Sequence, residues 1–242
     1  MARAAKVESK TSRLKLECAA CPARAASFCN VVPNCDLGVL AKSRRLIVFE
    51  RRQTIVCQGE AATTFFNVVT GLVKLCRGSR DGRTQIVGFR GPGEFFAAAE
   101  TGHYTATAEA VSRVVLCRFS RARLRRLVRD HPQLPARLLG ISHRQLETLE
   151  EQMFLLGRMT AREKVASFLL HHGLNSMPEG EPHARCVRLP VTRAEIADFL
   201  GLTTETVSRV VASLVREHVI TVGTSHTIHL IDVKRLQRES GR

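Results

Sequence analysis

Eight cysteines lie in this chain of 242 residues, and Cys18, Cys21, Cys29 and Cys35 crowd the first 35 positions. The chain opens on the polar, charged Met1–Lys10, with no apolar core of a secretion signal, so the cytosol is the default compartment. Cysteines clustered in a cytosolic chain are more often soft metal ligands or redox groups than disulfide partners. Cys18-x2-Cys21-x7-Cys29 presents three thiolates within 12 residues, and Cys117 stands far along the chain as a fourth. A cubane iron–sulfur core needs four thiolates converging on one point, and the fourth commonly comes from elsewhere in the fold. Tetrahedral zinc is the competing chemistry, but zinc sites usually pair two C-x2-C knuckles and only one is present. Cys35 is the alternative third ligand in place of Cys29. Cys57, Cys76 and Cys186 carry no ligand spacing and read as buried strand or loop residues.

A second set of residues has the chemistry of base reading. Thr192-Arg-Ala-Glu195 is a capping box that starts a helix carrying Ile196, Ala197 and Leu200 inward and ending at Gly201-Leu202. Thr203 then caps a helix running to about Glu217, with Val207, Val210, Val211 and Leu214 on one face. Two short helices hinged at a glycine make a helix-turn-helix, and the segments His218–Val222 and Thr227–Ile231 supply a wing. Glu205, Ser208 and Arg209 share one face near the start of the second helix. Arginine offers the fork that matches guanine O6 and N7, glutamate can accept from the cytosine amine, and serine serves base or phosphate. The bland alternative is a solvated face with a Glu205–Arg209 ion pair.

Other elements must hold these two sets in place. Between residues 37 and 120, seven short β-rich runs alternate with glycine turns: Arg44–Phe49, Thr54–Cys57, Phe65–Thr70, Leu72–Arg77, Thr84–Phe89, Thr105–Ala110 and Arg113–Phe119. This spacing predicts an antiparallel barrel or roll. Arg121–Asp130 reads as a short basic helix and is followed by one long helix ending near Gly157. In it Leu139, Ser142, Leu146, Leu149, Met153 and Leu156 recur at alternating intervals of three and four, the spacing of a coiled-coil seam. An intradomain core helix is the alternative, but because this helix joins two domains the stripe is assigned to a parallel dimer interface. Thr160–Gly173 is a further amphipathic helix, and a loop, Asn175–His183, follows it.

The chain carries 37 basic against 22 acidic residues, a formal +15, which favours a polyanionic partner. From Met159 onward only 11 Lys/Arg face 9 Asp/Glu, whereas Arg118–Arg144 holds eight arginines against Asp130 alone. Charge therefore supports nucleic acid without locating the site. No apolar run reaches membrane-spanning length. The histidines show no hydrolase spacing, and neither a phosphate-cradling loop nor a nucleophile motif is present, so an enzyme is not expected.

Gly201-Leu-Thr-Thr-Glu-Thr-Val-Ser-Arg209, together with Gly71-Leu-Val-Lys74 and Gly91-Pro-Gly-Glu-Phe95, resembles the cyclic-AMP receptor protein / fumarate–nitrate-reduction regulator (CRP/FNR) superfamily over residues 18–235. The resemblance implies an α+β chain with four parts. These are a flexible arm with a cysteine-rich segment (1–36), an antiparallel β-roll like a cyclic-nucleotide-binding domain (37–120), a dimerisation helix region (121–158) and a winged helix-turn-helix (159–242). Glu205-x-x-Ser208-Arg209 is similar to the FNR-like, FixK-like branch. It implies a homodimer on double-stranded DNA of the form TTGAT-N4-ATCAA, read by Thr203, Thr204, Glu205, Ser208 and Arg209. Contact with RNA polymerase is implied as well. The cysteine pattern resembles the branch's oxygen-labile 4Fe–4S site, with Cys18, Cys21, Cys29 and Cys117 as ligands. By that resemblance the cluster packs the arm on the roll and sets the long helix for dimerisation, and oxygen reverses this. Cyclic-nucleotide members hold the phosphate with an Arg–Ser pair, where this chain reads Thr101-Gly-His-Tyr-Thr-Ala106, so no cyclic nucleotide is expected. The remaining alternative is a regulator of the same architecture whose cysteines bind zinc or sense oxidants or nitric oxide directly.

Overall fold

The computed structural model describes residues 16–97, 102–174, 186–188, 190–223 and 227–241. It forms two compact units, Met1–Arg144 and Gln145–Arg242, divided inside one long helix. The first 15 residues of the expected arm, the loop Asn175–His183 and the wing tip at 224–226 lie outside the described residues, as does Thr101.

Among the described residues of the first unit, eight strands form two antiparallel sheets. Strands β1 (Arg44–Phe49), β8 (Val114–Ser120), β3 (Thr64–Thr70) and β6 (Phe95–Phe96) make one sheet, in that order. Strands β2 (Thr54–Val56), β7 (Thr107–Ala110), β4 (Val73–Gly78) and β5 (Thr84–Arg90) make the other. Alternation along the strands gives the first sheet two apolar faces. One face closes the roll interior, where Ile47, Phe66, Val68, Phe96 and Leu116 meet Val73 and Ala108, with the Phe66 and Phe96 rings stacked at 5.2 Å. The other face, carrying Phe65, Val115, Cys117 and Phe119, is covered by the cysteine loop and three helices. These are α1 (Leu37–Ser43), α2 (Arg121–Asp130) and the start of α3 (Gln133–Arg158), which bury Leu37, Leu40, Leu127, Leu134 and Ile141.

The expected strands are present with ends shifted by no more than two residues, and β1 and α2 have the expected bounds. Helix α1 and strand β6 were not foreseen. Seven residues with two buried leucines, and two residues of strand, are too short for a periodic signal. Cys57 and Cys76 are half-buried rather than buried.

In the second unit α4 (Ala161–Leu174), α5 (Arg193–Leu200) and α6 (Thr204–Arg216) pack with a three-stranded sheet. The sheet order is β10 (Ile220–Val222), β11 (Thr227–Leu230), β9 (Cys186–Arg188), and α7 (Val233–Glu239) closes the unit. The wing thus gains a third strand, and α7 follows it, both beyond what the sequence suggested. Leu155, Phe168, Leu169, Leu200, Leu214 and Leu236 are buried here.

Candidate metal centre and nucleic-acid interface

The cysteine loop is built on one aromatic anchor. Phe28 is fully buried, with its ring 5.4 Å from Phe65 and 5.6 Å edge-on to Phe119, which pins the loop to the sheet next to Cys29. Ser27 caps a 3-10 turn, Phe28–Val31, by accepting from the Cys29 backbone N–H, and its hydroxyl donates to buried Asn67 Oδ1 at 3.0 Å. Asn67 lies on β3 directly opposite Cys117 on β8. Across β8 on the other side, Cys117 pairs with Leu46 of β1, and Arg44 shares the Leu46 face two residues earlier. Strand register therefore brings Arg44, Asn67 and Cys117 beneath the loop.

Cys18, Cys21, Cys29 and Cys117 line one cavity with Arg24, Ser27, Leu40, Arg44 and Asn67. Cys35 is exposed and is not among these residues. The cavity measures about 20 Å³, room for roughly one water, so an inorganic core requires the loop to stand further out. Among the described residues no three His, Cys, Asp or Glu side chains converge closely enough to hold a single ion. Burial pushes the Cys29 and Cys117 thiols up to about 12, opposed chiefly by the Ser27 hydrogen bond at Cys29 and by Arg44 at Cys117. Burial also opposes the Arg44 charge, but the Cys117, Cys18 and Cys21 sulfurs outweigh it and raise the Arg44 pKa. Arg44 Nε donates to Cys18 Sγ at 3.2 Å. Arg24 Nε is buried with no hydrogen-bond partner, an orphaned cationic donor among the four thiols. Thiolates and sulfides are what such a donor lacks, so the side chains fit an anionic iron–sulfur core.

The loop is also fastened to α3. Arg137 donates to the carbonyls of Ala25, Ala26 and Ser27 at 3.3, 3.5 and 3.4 Å. On the loop's other side, Gly93 sits at φ +87°, and a Cβ there would lie 2.5 Å from Ala26 Cβ. Further along α3, Leu139, Leu146, Leu149 and Met153 are 59, 54, 45 and 74% exposed, and Ser142 is exposed, so most of the stripe is uncovered in one chain. Phe154, not foreseen, is 60% exposed beside it. Leu156 is half-buried, with Cδ2 3.6 Å from where a Cβ on Gly201 would stand.

The reading head forms as its local signals dictate. Thr192 and Glu195 make the reciprocal capping box, Gly201 adopts φ 62°, and Thr203 accepts from the Thr206 N–H at the start of α6. Val207, Val211 and Leu214 are buried, while Thr203, Thr204, Glu205 and Arg209 are exposed and Ser208 is half-exposed. Among the described residues Glu205 and Arg209 form no ion pair, and Arg209 instead reaches Thr206 Oγ1 at 3.4 Å. Both functional groups are therefore presented outward. The far end of α6 is clasped by Arg162 of α4, which donates to both carboxylate oxygens of Glu217 and pairs with Glu239.

Residues 46–131 match the cyclic nucleotide-binding domain and residues 163–239 the Crp-like helix-turn-helix domain. The chain is 34% identical over 222 residues to the nitrogen fixation regulation protein FixK of Bradyrhizobium diazoefficiens, covering 91% of this chain and 92% of that one. It is 33% identical over 231 residues to the transcriptional activator protein FnrL of Cereibacter sphaeroides, covering 93% and 92%. The solved structure of FixK2 from Bradyrhizobium japonicum superposes with a TM-score of 0.74 at 30% identity, covering 81% of this chain and 96% of that one. The chain belongs to the CRP/FNR family of DNA-binding transcription regulators and is FNR-like.

Proposed function

We propose that the chain is a homodimeric transcription activator that binds a TTGAT-N4-ATCAA-like palindrome when Cys18, Cys21, Cys29 and Cys117 hold an oxygen-labile 4Fe–4S cluster. The observation that carries this is the convergence of three loop cysteines and one strand cysteine on a single cavity. The single C-x2-C knuckle favours a cluster over zinc, whose sites usually pair two. Zn–S bonds of about 2.3 Å would hold four sulfurs about 3.8 Å apart. A cubane would offer each thiolate its own iron and so does not need three sulfurs on a single ion, a set that does not occur among the described residues. When bound, the cluster supplies a crosslink between the loop and β8 that dioxygen destroys.

The chain's own residues pass the change on. Outward movement of the loop pulls on the three carbonyls held by Arg137, four residues and one helical turn before the buried Ile141 of α3. The exposed stripe Leu139–Met153 pairs with a second copy, burying apolar surface that one chain leaves in water. Two reading heads then present Glu205, Ser208 and Arg209 to the two half-sites. With Leu149 near the centre of the seam and no charge in it, association persists in part without the cluster, which makes the switch leaky. Like the FnrL relative, a transcriptional activator, the chain then activates transcription, which implies contact with RNA polymerase. A cyclic nucleotide plays no part in this reading. Tyr104, in the stretch where the phosphate pair would stand, is buried in the roll core with its hydroxyl 2.8 Å from Thr64 Oγ1.

The test is a gel shift on the palindrome with protein handled strictly without oxygen and again after exposure to air. Tight binding that weakens in air is expected. Equal binding in both arms, or no preference for the palindrome, overturns the reading.

A further inference from the structure

The cavity that gathers the four thiols also gathers two guanidinium groups, and no spacing rule announces either. Arg44 reaches in from the start of β1, its Nε donating to Cys18 Sγ at 3.2 Å while Nη2 bonds the Leu16 carbonyl. Arg24 comes from the loop itself, between Cys21 and Cys29. Its Nη2 donates to the Val32 carbonyl at 3.0 Å, and its buried Nε donates to nothing. A buried donor without an acceptor is costly and rare, and calls for an explanation at the site where it occurs. Four thiolates around an iron–sulfur core carry net negative charge and offer sulfur acceptors on every side. Two cations and two Nε–H groups on the lining of the same cavity are the complement of such a core.

We propose that Arg24 and Arg44 are the cluster's counter-ions, each donating Nε–H to its sulfur atoms and together holding its reduction potential up. This rests on the cluster reading above. Hydrogen bonds to the sulfurs and nearby positive charge both favour the more negative, reduced form, so removal of either arginine lowers the potential. In the measured couple one electron passes from dithionite to the core, and no bond in the protein is made or broken.

The experiment compares full-length wild type with Arg24→Gln, Arg44→Gln and Arg44→Lys, reconstituted anaerobically with iron and sulfide. Iron and sulfide content, midpoint potential and bleaching rate in air are measured, with circular dichroism of the iron-free proteins checking the fold. Each glutamine variant is expected to shift the reduction equilibrium about tenfold toward the oxidised form, or 59 mV for one electron, and to bleach faster. Arg44→Lys keeps the charge and should recover part of that shift. A folded glutamine variant that holds no core while Arg44→Lys does also supports the proposal. Equal potentials in all four loaded proteins overturn the counter-ion role and leave the cluster standing. A wild-type protein that takes up no iron–sulfide core overturns the cluster itself, and the proposal with it.

Discussion

Arg137→Ala cuts the fastening between the cysteine loop and α3 without touching a cysteine. Its three hydrogen bonds to Ala25, Ala26 and Ser27 carbonyls are long, at 3.3–3.5 Å, and two of them are exposed, so each is worth about 0.5 kcal/mol, the low end for a net hydrogen bond. Together they can carry about 1.5 kcal/mol of coupling, roughly a tenfold change in an equilibrium. The quantity to measure is the ratio of dimer dissociation constants without and with the cluster, by analytical ultracentrifugation under anaerobic conditions. The substitution should lower that ratio by up to about tenfold while iron content stays at the wild-type level. A ratio within twofold of wild type would refute transmission through Arg137. So would equal weakening of both forms, because that marks a contribution to folding alone.

Gly93→Ala should destabilise the first unit by about 2–4 kcal/mol, from a left-handed backbone and a Cβ driven against Ala26. Urea unfolding measures this, and a loss under about 0.5 kcal/mol would contradict the close approach. Arg209→Ala should relax preference at the guanine of each half-site by about 1–3 kcal/mol, while uniform weakening on all sequences would remove it from base reading. Hydrogen bonds from Arg162 and Ser213 lower the Glu217 carboxyl from 4.5 to about 2. A depressed carboxyl stabilises the fold above its unfolded value, so the clasp on α6 is complete above pH 4.5 and fades as pH falls toward 2. Glu217→Gln should flatten the acid limb of the second unit's stability curve, and an unchanged limb would show that the clasp does not control it.

What the sequence disclosed was local. A capping box, a glycine at a left-handed position and an N-cap threonine act within four residues of themselves, so the reading head was legible down to Thr203, Glu205 and Arg209. The cysteine spacing marked Cys18, Cys21 and Cys29 in the same local way, whereas Cys117 lies far along the chain and joins them in the cavity only through the fold, so its place in the set came from the family resemblance. Arg44, Asn67 and Arg137 reach the loop through strand register and helix placement, which leave no mark on residue spacing. Phe28 had one available signal, as the sole aromatic between Cys18 and Cys35. The stripe on α3 was legible as a periodicity, but its sixth member, Leu156, is half-buried beside Gly201, because a helix that crosses two units changes neighbours along its length.

Iron and acid-labile sulfide per subunit, determined on anaerobically purified protein and on single Cys→Ala variants, bear most directly on the cluster. The account predicts about four of each in wild type and in Cys35→Ala, and loss of the core in Cys18→Ala, Cys21→Ala, Cys29→Ala and Cys117→Ala. Stoichiometric zinc without sulfide, or a full core retained by Cys117→Ala, would contradict it.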